Sequence, residues 1–152
     1  MVAASCAQFV QEYRKTGKQG QLKITFDENT PVAVIEGGDV GLVGAKLLAS
    51  KHNQQKYILG GPENITGAQM VGMVEKIIGE KVENVSYKNM DFLDYLVEIG
   101  FLPERFKPSL FAAVQGLWEG KGCLEALPTS QAVMDFAPPS SRCEDVLNEM
   151  VQ

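Results

Sequence analysis

The stretch from Pro31 to Ser50, PVAVIEGGDVGLVGAKLLAS, constrains the fold of this chain more than any other. Val32 to Ile35 is a short, mostly β-branched apolar run, which predicts a buried strand. Gly37 and Gly38 break it. Val40, Val43, Ala45, Leu47 and Leu48 then recur at helical spacing. Strand, glycine turn and helix make one half of a βαβ unit, so the chain is expected to be α/β. Gly38, Gly41 and Gly44 also stand in G-x-x-G-x-x-G register. In one reading they are cofactor-binding, because missing side chains let backbone N–H groups reach a pyrophosphate at a helix N-terminus. In the other, Asp39 caps the helix by accepting a bond from an N–H two or three residues on, and the glycines only ease the turn. An Asp at the cap is the wrong charge to set beside a phosphate.

The 152 residues suffice for one domain with a core, expected to span 1–152. With 45% hydrophobic and 22% charged residues the composition is that of a globular protein. A net charge of -5 with no Lys/Arg cluster argues against a nucleic-acid partner. Cys6, Cys123 and Cys143 are odd in number and lack C-x-x-C spacing, so neither a disulfide framework nor a metal site is expected. No apolar run approaches the length of a membrane span. Asn64 and Asn84 begin N-x-S/T patterns, but no signal peptide precedes them, and a cytoplasmic location is expected.

Taken in order, Met1 to Tyr13 reads as a helix with Cys6, Phe9, Val10 and Tyr13 on one face. Leu22, Ile24 and Phe26 alternate with Lys23 and Thr25 as in a half-buried strand. Tyr57-Ile58-Leu59 is a further strand ended by Gly60-Gly61-Pro62. Thr66 and Gln69 have the spacing of a capping box, Met70, Met73, Val74, Ile77 and Ile78 form the stripe of its helix, and Gly79 closes it. Val82, Val85 and Tyr87 suggest another strand. The last third is helical. Asn89 can cap Phe92 to Ile99, Pro108 fits the first turn of the next helix, and Thr129 and Ser141 can cap two more, Ser141 with Glu144 as a second capping box.

Several catalytic arrangements are missing. No Tyr is followed four residues later by Lys, and no acid closes a strand about 20 residues past the glycines to meet a ribose. His52, the only histidine, lies in a polar linker and completes no nucleophilic triad. No catalytic residue is assigned.

Tyr57 to Val82, YILGGPENITGAQMVGMVEKIIGEKV, resembles the C-terminal half of the NmrA-like atypical short-chain dehydrogenases. There a strand ends in a GPE-type turn, T-x-x-Q/E starts a helix, and a glycine before Val closes it. VAVIEGGDVGLVGAKLL looks like that family's strand and D-I-G helix start, and PTSQ and SSRCEDVL look like its closing helices. On this resemblance Gly38, Gly41 and Gly44 match the internal D-I-G segment and not the nucleotide loop.

The resemblance implies the substrate-binding, C-terminal half of a Rossmann-type fold, with short strands, several helices and the nucleotide-binding half outside this chain. It implies an NAD(P)H-linked oxidoreductase acting on a bulky aromatic, polyketide-type intermediate, as in fungal secondary metabolism and mycotoxin pathways. The alternative is a dinucleotide-sensing regulatory module that binds a protein partner and turns nothing over. The aromatic residues of the last third, Phe92, Tyr95, Phe111 and Trp118, are the expected substrate-binding set, because pockets favour apolar and aromatic walls. Ordinary core packing is the competing reading for the same rings. The apolar strand 57–59, lacking a charge or proline to block pairing, is expected to invite self-association.

Overall fold

The computed structural model describes residues 2–50 and 56–152. His52 lies outside them. The first helix, α1 (Val2–Thr16), buries Cys6, Ala7, Phe9 and Val10 and ends at Gly17, whose φ of 65° is left-handed. It runs one turn further than the sequence suggests. The strand β1 (Leu22–Lys23) is short, yet the alternation behind it is real: Leu22, Ile24 and Phe26 are all buried, while Lys23 is exposed and Thr25 half-buried. It pairs in parallel with β4 (Val85–Ser86), Leu22 opposite Val85 and Lys23 opposite Ser86.

A second pair is antiparallel. Here β2 (Val32–Ala33) meets β3 (Asn64–Ile65), with Val32 opposite Ile65. The expected strand Val32 to Ile35 is therefore halved, because from Val34 the chain turns toward α2 (Gly37–Ala49). The next helix, α3 (Gly67–Ile78), starts and stops as its local signals dictate and packs on α1. Thr66 Oγ1 accepts from Gln69 N, Gln69 Oε1 accepts from Thr66 N, and Gly79 caps the end at φ 81°.

Tyr57 to Leu59, expected as a strand, joins neither sheet. Ile58 N–H donates to Ser130 Oγ at 2.9 Å, and Ile58 C=O accepts from Ser130 N–H at 2.9 Å. Four helical segments and one 3₁₀ turn complete the chain: α4 (Asp91–Glu98), the turn Glu104–Phe106, α5 (Lys107–Trp118), α6 (Gln131–Phe136) and α7 (Cys143–Met150).

Three capping expectations fail, each to a longer-range bond. The cap of α2 is Glu36, not Asp39: the Glu36 carboxylate accepts from Gly38 N and Asp39 N. Thr129 spends its hydroxyl on Gly60, accepting from Gly60 N at 3.0 Å, and α6 starts after Ser130. Ser141 forms no capping box with Glu144, which pairs with Lys76 at 3.2 Å.

The main core lies where α1 crosses α3 and α7. Cys6, Phe9, Val10, Leu22, Ile24, Met70, Val74 and Leu147 meet there. Each fully buried large side chain stabilises by about 1.5–3 kcal/mol. A smaller cluster sets Val43 of α2 against Val133 and Ala137, with Leu47, Tyr57 and Leu59 around it. The core fixes β1 beneath α1 and leaves its other side, with Lys23 and Thr25, facing out.

Candidate functional site

That outward side of β1 forms one wall of a pocket of about 290 Å³. Ala4, Ser5 and Gln8 come from the flank of α1, Lys23 and Thr25 from β1 and its extension, and Asn89, Asp91, Phe92, Tyr95 and Leu96 from the start of α4. The helix is placed by its own loop: Asn89 Oδ1 accepts from Asp91 N at 3.1 Å, and Asn89 N donates to Ile24 O at 3.0 Å. Leu93 is buried, so the turn-spaced face carrying Phe92, Tyr95 and Leu96 is the one left to line the pocket. Tyr95 is 59% exposed, far more open than a core ring.

The polar side is an ion pair. Lys23 Nζ lies 2.8 Å from Asp91 Oδ2. The Lys23 ammonium, with the Asn89 side chain, holds the Asp91 carboxyl below its ordinary range. Thr25 is tied back on its far side, its carbonyl accepting from Trp118 Nε1 at 2.8 Å. A neighbouring groove shares Ser5, Gln8 and Lys23 and continues past Phe9, Glu12 and Gln21.

Of the four aromatic residues expected to bind substrate, the structure brings Phe92 and Tyr95 into this pocket. Phe111 and Trp118 pack on each other instead, edge to face at 6.2 Å and 84°. The Lys88 ammonium stands 5.8 Å from the Trp118 ring centroid and 2.8 Å from Asp27 Oδ2. Trp118 reaches the pocket only through Thr25. Lys23, Thr25, Asn89 and Asp91 escaped the sequence reading. Nothing local marks them as a set, since parallel pairing of β1 with β4 is what assembles them.

The glycine turn does not fit a dinucleotide. Glu36 places its carboxylate on the first N–H groups of α2, the groups a pyrophosphate would need, and its charge opposes a phosphate. Gly41 and Gly44 lie inside the helix, where an added Cβ would meet nothing within 4 Å, so no contact within the protein requires a glycine at either position. Asp39 is buried and turned away, accepting from Ser140 N at 3.1 Å and Ser141 N at 2.9 Å.

Among the described residues no group of three His, Cys, Asp or Glu could hold a metal. The three cysteines are free, and burial pushes the Cys6 thiol up to about 12, the charge of nearby Cys143 adding to it. No described helix is long and apolar enough to cross a membrane.

No family model matches the chain, and no curated protein does. Among solved structures it is similar to a new type of NADPH-dependent quinone oxidoreductase from Escherichia coli, with a TM-score of 0.64 over 99% of this chain at 17% identity. The fold is that of a solved oxidoreductase. The chain spans 51% of that protein's length.

Proposed function

We propose that this chain is the substrate-binding part of an NAD(P)H-linked oxidoreductase that reduces flat aromatic compounds of quinone type, with the dinucleotide held by a cofactor half outside these residues. The observation that carries the reading is the pocket between β1 and α4. Phe92, Tyr95 and Leu96 offer an apolar wall for a ring, opposite the donors of Lys23 and Asn89. Its volume of about 290 Å³ suits a two- or three-ring compound. The likeness to the quinone oxidoreductase supports the same substrate class, and the half-length match supports a separate cofactor half. A polyketide-type intermediate of a secondary-metabolite pathway is the specific form of such a ring.

In this reading the chain binds and orients the ring. Stacking on Phe92 and Tyr95 fixes its plane, and an acceptor oxygen pointing to Lys23 fixes its direction. No proton-transfer residue is assigned to the chain.

The test is a titration of Trp118 emission with menadione, corrected for absorption. Trp118 is bonded to a residue of the pocket wall, so it reports occupancy. Saturable quenching that weakens about tenfold or more in Tyr95→Ala, roughly the loss of one ring contact, supports the reading. Linear, unsaturable quenching unaffected by Tyr95→Ala or Phe92→Ala overturns it.

A further inference from the structure

The pocket has a charge arrangement that its shape does not require. Of its ten lining residues only Lys23 and Asp91 are charged, and they are paired at 2.8 Å, so the pocket is formally neutral. The pair is not needed to shape the wall, since α4 is already placed by the bonds of Asn89. Without Asp91 the Lys23 ammonium would be a single positive charge facing a small apolar cavity, an attractive seat for a ring carboxylate. Outside the pocket, Glu12 stands in the adjoining groove, and Asp94, one turn along α4, is itself neutralised by Lys107.

We propose that Asp91 is a specificity-determining residue: by holding Lys23 it keeps the pocket neutral, so that uncharged flat rings enter and their carboxylate analogues are turned away. This rests on the pocket being the substrate seat. Lys23 still has donor hydrogens for a neutral carbonyl, because an ammonium carries three and Asp91 takes one. An anion has no such place, since it must compete with Asp91 for the same cation at close range.

The experiment compares two rings of one shape, an anthraquinone carboxylate and its uncharged hydroxymethyl analogue, on the full chain, by Trp118 emission and by calorimetry. The wild-type chain is expected to bind the uncharged ring more tightly. Asp91→Asn is expected to tighten the carboxylate roughly fivefold relative to the uncharged ring, the fold-change that releasing one exposed ion pair permits. The double variant Lys23→Gln with Asp91→Asn should lose that gain, which separates charge from any change in folding.

Equal affinity of the wild-type chain for both rings overturns the proposal while the substrate reading stands. So does a parallel change of both affinities in Asp91→Asn. If neither ring binds, the substrate reading falls and takes the proposal with it.

Discussion

The carboxylate of Asp39, in the first turn of α2, accepts the backbone N–H groups of both Ser140 and Ser141, a hundred residues further on. Asp39 is a buried acidic residue, and these two bonds satisfy one of its oxygens. They also hold the segment that leads into α7, and α7 packs on α1. Through Asp39 the smaller cluster around Val43 is tied to the main core.

Asp39→Ala should therefore cost more than an ordinary surface change. Two part-buried N–H groups lose a charged acceptor, for a loss of roughly 1.5–2 kcal/mol, the lower end for hydrogen bonds to a charged group. Urea unfolding followed by far-UV circular dichroism measures it. Asp39→Asn keeps a carbonyl acceptor and is expected to lose about half as much.

Gly61 is a place where no side chain fits. A Cβ there would lie 1.7 Å from the carbonyl oxygen of Val34, a backbone atom that cannot step aside. Gly61→Ala is expected to destabilise by about 3 kcal/mol, the upper range for overpacking. Gly41→Ala meets nothing and, removing a glycine from a helix interior, should stabilise by roughly 0.5–1 kcal/mol. Thermal melts of the two variants should move in opposite directions.

Asp27 gives the fold a pH dependence with a definite sign. Its carboxylate is paired with Lys88 and accepts from Asn29 N, Thr30 N and Thr30 Oγ1. Lys88, first, and then these donors hold its pKa far below the ordinary value near 4. A group depressed on folding contributes stability above its unfolded pKa and loses it as pH falls. The wild-type chain should thus lose stability steadily below about pH 4. In Asp27→Asn that part of the slope disappears, and the stability at neutral pH is lower. Denaturant midpoints at a series of pH values provide the check.

How much of this was legible in the sequence depends on how local the signals are. The start and stop of α3 are written within a few residues, in Thr66, Gln69 and Gly79, and the structure keeps all three. The alternation of Leu22, Ile24 and Phe26 likewise announced a strand face, although only two residues join the ladder. Asp39, Thr129 and Ser141 read as caps because each is a good cap residue. Long-range partners claimed Asp39 and Thr129, and the Ser141 backbone was bound to Asp39, none of which spacing reveals.

The site was half legible for the same reason. Phe92 and Tyr95 share a turn-spaced helix face, so their convergence is a local matter. Phe111 and Trp118 are brought together by one helical turn of α5 beyond the next, and that makes them a pair with each other rather than a wall of the pocket. The Lys23–Asp91 pair depends on a parallel pairing between strands far apart in sequence. Charge alone, one Lys among many and one Asp among many, does not foretell it.

The most direct measurement is an amide chemical-shift titration of the isotopically labelled chain with menadione. If the pocket between β1 and α4 is the substrate seat, saturable shifts should concentrate at Lys23, Thr25, Asn89, Phe92 and Tyr95, while Gly38, Gly41 and Gly44 stay still. Shifts that centre on the glycines of α2, or that scatter over the surface without saturating, would contradict the account.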